Sequence, residues 1–102
     1  MTQAVRIFQD LVNERGNRLR QISFQNLRQL TEPMELVTIE KRKAKISIIV
    51  NPLPSGGILV VVQGFMKKRF LPMVWDVALD GFYKYPDETM APMTREDMWA
   101  YD

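Results

Sequence analysis

The chain has 102 residues, of which 46% are hydrophobic and 25% charged, with a formal net charge of +2; this is the balance of one ordinary globular domain, residues 1–102, not of a disordered chain. It contains no cysteine and no histidine, which excludes disulfides, thiol catalysis, thiolate metal sites, Ser-His-Asp hydrolysis and histidine-ligated zinc together. The pI near 9.1 overstates the basic character, because with nothing to titrate near neutrality the charge curve is flat there.

The first element is a helix predicted over about residues 3–20. Ala4, Val5, Ile7, Phe8, Leu11, Val12 and Leu19 fall on one helical arc. Arg6, Asp10, Glu14 and Arg18 step along another face at i, i+4 spacing. Gly16-Asn17 is the weak point, since glycine can end a helix there. Ser23 reads as the N-cap of a short second helix over about 24–31, with Phe24, Leu27 and Leu30 on one side and Pro33 closing it.

The apolar period then changes from 3.6 to 2. Four strands are predicted, over about 35–40, 45–50, 57–65 and 73–85. The third, around Ile58–Val62, is apolar on both sides, as a doubly covered central strand would be. Asn51-Pro-Leu-Pro-Ser-Gly-Gly57 is a turn rich in breakers. A C-terminal helix over about 95–101 begins at a Thr94 cap, with Glu96 and Asp97 in its first turn and Met93 and Met98 placed for a hydrophobic staple. The expected fold is α+β, an N-terminal helix pair, a four-stranded antiparallel meander and a short C-terminal helix. The longest apolar run falls well short of the roughly 20 residues of a membrane helix, and the first residues offer no hydrophobic signal region. The expectation is a cytoplasmic protein with no membrane partner.

Charge is distributed unevenly. Residues 1–75 hold twelve Lys/Arg against five Asp/Glu, and residues 76–102 hold two against seven. In a meander the first and third turns lie at the same end. Lys41, Arg42, Lys43 and Lys45 are therefore expected beside Lys67, Lys68 and Arg69 as one composite anion-binding patch. Two points weigh toward ordinary solvated hairpin tips instead. The clusters hold no interleaved aromatic apart from the flanking Phe65 and Phe70. The acidic tail, with Asp87, Glu88, Glu96, Asp97 and Asp102, is in a position to cancel the field.

Arg15 falls on the apolar arc of the first helix and calls for a carboxylate, which Asp76 or Asp80 of the last strand would supply. The plainer expectation is a stem laid on the core with the head in solvent. Asp76 and Asp80 share one side of their strand about 13 Å apart, at about 3.3 Å per residue, too far for one acid–base pair. Their expected setting is a half-exposed outer face with both acids solvated. No residue is assigned a catalytic or metal-binding role, and no cofactor is indicated.

One long helix and two short ones are hard pressed to cover both faces of such a sheet. Surplus apolar surface marks association, and Leu59, Val61, Phe65, Met98, Trp99 and Tyr101 are the candidate interface. Three functional readings follow. The first is a small non-enzymatic interaction or ligand-binding module, homodimeric, with a protein or small-molecule partner. The second is a nucleic-acid or phosphate binder using the basic patch. The third is a small enzyme, independent of His and Cys, with Asp, Arg or Tyr in a helix–sheet cleft. Sequence alone does not decide among them, and the first is preferred.

Overall fold

Two residues, Glu40 and Lys41, turn the chain between the first two strands, and both adopt left-handed backbone conformations, with φ of 47° and 70°. This tight turn fixes the register Ile39↔Arg42 between the first two strands. In a computed structural model describing residues 3–68 and 74–102, the elements are α1 (Gln3–Arg20), α2 (Phe24–Arg28), β1 (Glu35–Ile39), β2 (Arg42–Pro52), β3 (Ile58–Lys67), β4 (Trp75–Lys84), β5 (Met90–Pro92) and α3 (Arg95–Tyr101). All strands pair antiparallel in the order β1-β2-β3-β4-β5. Among the described residues no helix is long and apolar enough to cross a membrane.

The α+β meander expected from the sequence is present, with one strand more. β5 is three residues ending in proline, too short to show a period, and proline is tolerated there because the strand is an edge. β2 starts three residues before its expected start, so Arg42 and Lys43 belong to the strand itself. Neither Glu40 nor Lys41 is one of the residues that signal such a turn, which hid this extension. α2 stops at Arg28. Met73, the expected start of β4, lies outside the described residues.

Alternation along the strands sends side chains to two faces. On one, α1 and α2 bury Phe8, Val12, Leu19, Phe24 and Leu27 against Ile46, Val60, Val62, Met66 and Phe82. Gly64 makes this close packing feasible, since a Cβ there would stand 2.6 Å from the Phe8 ring and 3.0 Å from Val12. Gly16 does the same for an ion pair. The Asp80 carboxylate approaches so near that a Cβ at Gly16 would lie 1.7 Å from Oδ2, and Arg20 grips both its oxygens at 2.6 and 2.9 Å. α1 runs unbroken through Gly16; the residue serves the close approach and does not end the helix.

The α1–α2 corner is held by a buried cation. Lys84, 5% exposed, donates to the carbonyl of Arg20 (3.3 Å), which the end of α1 leaves without a helical partner, and to that of Ile22 in the connection to α2 (2.8 Å). Glu88 lies 3.5 Å from the same ammonium and accepts from the Phe24 amide at the start of α2.

On the second face, Leu59, Val61, Tyr83 and Met93 form a smaller core, with Ile49, Leu79 and Tyr101 packed against it. α3 is docked by polar contacts at both ends. The Tyr83 hydroxyl donates to Asp97 and accepts from the Thr94 amide at 3.2 Å, while the Tyr101 carbonyl accepts from Gln63 and its hydroxyl from Asn51. Tyr83→Phe removes a bond to a charged acceptor and is expected to cost about 1–2 kcal/mol. Hydrogen exchange should show α3 amides opening first; protection of α3 equal to that of the parent protein would count against this docking role.

Candidate functional site

The β1–β2 turn and the β3–β4 connection lie at the same end of the sheet, and there Lys41, Arg42, Lys43, Lys67 and Lys68 line an open recess of about 230 Å3. Arg69 and the flanking Phe70 lie outside the described residues. Strand alternation sorts these cations into two groups. Arg42 is on the helix-covered face, donating to Asp76 Oδ2 at 2.6 Å and to the Lys67 carbonyl at 2.9 Å. Lys68 reaches the other Asp76 oxygen at 3.6 Å. Asp76 thus takes up Arg42 and Lys68.

Lys43, Lys45 and Lys67 point to the opposite face. None of them pairs with a carboxylate among the described residues. The register places them in two cross-strand rows. One runs Leu36, Lys45, Phe65, Val77. The next, one residue pair nearer the basic end, runs Thr38, Lys43, Lys67, Trp75. The Lys45 ammonium sits over two rings, 5.6 Å from the centre of Phe65 and 5.3 Å from that of Trp75, within reach of cation–π attraction. Trp75 is 40% exposed and Leu36 77%. α3 covers only the other half of this face, and Trp99, 72% exposed, stands at its rim beside Val77 and Leu79.

Asp102 borders this surface, in a recess with Val77, Leu79 and Trp99. Asp87 and Glu88 belong to the β4–β5 turn, which follows Lys84 and so lies at the proline-turn end, where Lys84 pairs with Ile58. Asp97 is engaged by Tyr83. Across the ten residues of β3 the two ends are separated by roughly 30 Å, at about 3.3 Å per residue, several Debye lengths in physiological salt.

Arg15, Asp76 and Asp80 are not brought together. Arg15 faces β1 and holds Glu35 in a two-pronged pair at 3.0 and 2.9 Å, with Glu14 at 3.4 Å. The partner of Asp80 is Arg20, whose guanidinium also lies 4.8 Å from the centre of the Phe82 ring. Gln9, Gly16 and Arg20 of α1 all lie against β4, whereas Arg15 points toward β1. Both aspartates lie on the helix-covered face and both are paired, in place of the solvated outer face expected for them. Hydrogen bonding to Asp80 and to Glu35 raises Arg20 and Arg15 above the usual arginine range.

The same Arg15 contact lowers Glu35 below its ordinary value near 4.5. A lowered carboxyl contributes stability above its unfolded pKa and loses it as pH falls through the folded value. Glu35→Gln should therefore lower stability above about pH 4.5 and leave the acid end unchanged, which flattens the acid limb of the stability–pH curve. The carboxylate is 42% exposed, so screening keeps the effect under about 1 kcal/mol; an unchanged acid limb would show that the pair adds nothing.

Among the described residues no three His, Cys, Asp or Glu side chains gather to hold a metal ion. Of the candidate interface residues, Leu59 and Val61 are buried in the smaller core, Phe65 and Tyr101 are half-buried, and Met98 and Trp99 are exposed. Trp75 was missed as a functional residue. The signal was its parity with Lys67 and Lys43, which the β2–β3 and β3–β4 pairings bring onto one face. No family model, curated protein or solved structure matches this chain.

Proposed function

We propose that this protein binds single-stranded nucleic acid on the half of its sheet that α3 leaves open. One observation carries the reading: Lys43, Lys45 and Lys67 share a face with Phe65 and Trp75 and have no carboxylate partner among the described residues. Single-strand binders combine cations that track phosphates with aromatic faces on which successive bases stack. A duplex hides its base faces, so this surface favours unpaired strands.

The experiment is fluorescence anisotropy with a labelled oligonucleotide of about ten nucleotides, as single strand and as duplex, across a salt series. Three phosphate contacts give a log–log salt slope of about −2 for a single strand, and tryptophan emission should fall on binding. Absence of binding at low salt, or equal affinity for duplex without tryptophan quenching, would overturn the reading.

Self-association is a second reading, favoured by the exposure of Trp99 and Met98 side by side on α3. Light scattering at two protein concentrations tests it; Trp99→Ser should yield a monomer, and a parent protein that is monomeric at both concentrations would dismiss it.

A further inference from the structure

At the far end of the molecule from the basic recess, α2 is too short to finish its task. Its five residues end at Arg28, and the last rungs of the β2–β3 hairpin, Val50↔Val60 and Pro52↔Ile58, extend beyond it. A cleft of about 360 Å3 remains between helix and hairpin, with walls from Phe24, Val50, Pro52, Leu53 and Ile58. That volume falls within the range of small-molecule sites, which are mostly apolar with a few polar groups fixing orientation.

Arg28 is the single charged residue in this lining. Arg15, Arg18, Arg20 and Arg42 are each paired with a carboxylate, whereas Arg28, like Arg6 and Arg95, has no ion pair among the described residues. The hairpin tip closes on itself, with the Leu53 amide donating to Gly57 at 2.9 Å and the Gly56 amide to Leu53 at 3.1 Å.

We infer that this cleft binds a free monocarboxylic acid with a medium-length aliphatic tail, the tail lying against Phe24, Val50, Leu53 and Ile58 and the carboxylate on Arg28. An apolar wall beside an unmatched guanidinium suits a ligand that is apolar at one end and anionic at the other. A carboxylate is the planar anion that the two-pronged guanidinium matches. A bare anion would meet one cation and no further donor side chain, and a neutral alkane-like molecule would leave the arginine unused. The site lies on the helix-covered face at the proline-turn end, so it stands independently of the nucleic-acid reading.

The test is an amide NMR titration of the full chain with octanoate, octanol and inorganic phosphate. Octanoate should shift the amides of Phe24, Val50, Leu53, Gly56, Gly57 and Ile58 saturably and bind more tightly than octanol. Arg28→Gln, an exposed position outside both cores, should weaken octanoate about tenfold, the loss of one charge-assisted contact, and leave octanol unchanged. Octanoate shifts that are absent or scattered over the surface, octanol binding as well as octanoate, phosphate alone reproducing the octanoate shifts, or an Arg28→Gln protein with undiminished octanoate affinity would each overturn the proposal.

Discussion

Replacing Trp75 with alanine is expected to weaken binding of a single-stranded oligonucleotide between about fivefold and about a hundredfold, because stacking on an aromatic side chain is worth about 1–3 kcal/mol per base. Trp75 is the first residue of β4 and half-open to solvent, so the loss should fall on binding with little loss of folding. The substitution keeps all three lysines, and the salt slope should stay near that of the parent protein. Changing Lys43, Lys45 and Lys67 together to glutamine should do the reverse. It removes about three released counterions and reduces the slope by about 2, while tryptophan quenching persists at low salt. The two experiments separate stacking from electrostatics. A Trp75→Ala protein of full affinity would mean that no base stacks there, and a triple variant with the parent slope would mean that the phosphates lie elsewhere. Lys45 links the two effects, since its ammonium shares the space over Phe65 and Trp75 and has to be displaced or rearranged when a base enters.

The largest stability effect is expected at the contact between α1 and the centre of the sheet. Phe8, 1% exposed, places its ring against Gly64. Phe8→Ala should cost about 3–5 kcal/mol through lost burial and the cavity left behind. In a domain of this size that lowers the melting temperature by about 4–8 °C per kcal/mol. Gly64→Ala should also destabilise. Alanine gains about 0.5–1 kcal/mol over glycine in a strand, but a Cβ placed 2.6 Å from the Phe8 ring and 3.0 Å from Val12 forces overpacking worth about 1–3 kcal/mol. The steric cost exceeds the backbone gain. In the double variant the new methyl group occupies part of the space the ring vacated, so the combined loss should be smaller than the sum by about 0.5 kcal/mol or more. Denaturant midpoints of the four proteins measure this directly. Strict additivity would show that the ring does not rest on Gly64.

The elements of this fold are legible in the sequence because each rests on a short-range property. The 3.6-residue apolar period specifies α1, the period of 2 specifies β1, β2 and β4, a continuous apolar run specifies β3, and the Thr94 side chain accepting from the Asp97 amide at 3.2 Å is a cap written within four residues. The meander itself follows from short connections, and with it the meeting of the two basic clusters at one end. β5 is not legible, since three residues do not show a period. The start of β2 is not legible either, because Glu40 and Lys41 adopt left-handed conformations that their side chains do not announce.

The chemistry of the surface depended on what lies beyond any one segment. Composition and spacing were enough to exclude thiol and histidine chemistry and to place cations at one end. Which of those cations are free was decided by register. Pairing across the sheet puts Arg42 and Lys68 with Asp76 on the helix face and leaves Lys43, Lys45 and Lys67 with Phe65 and Trp75 on the other. A shift of one residue would exchange these faces. The partner of Arg15 likewise depended on where α1 crosses the strands, which sent Arg15 to Glu35 and Arg20 to Asp80. Periodicity and capping act within a few residues and can be read along the chain. Charge pairing and exposure are settled between residues tens of positions apart, and only the packed structure brings those together.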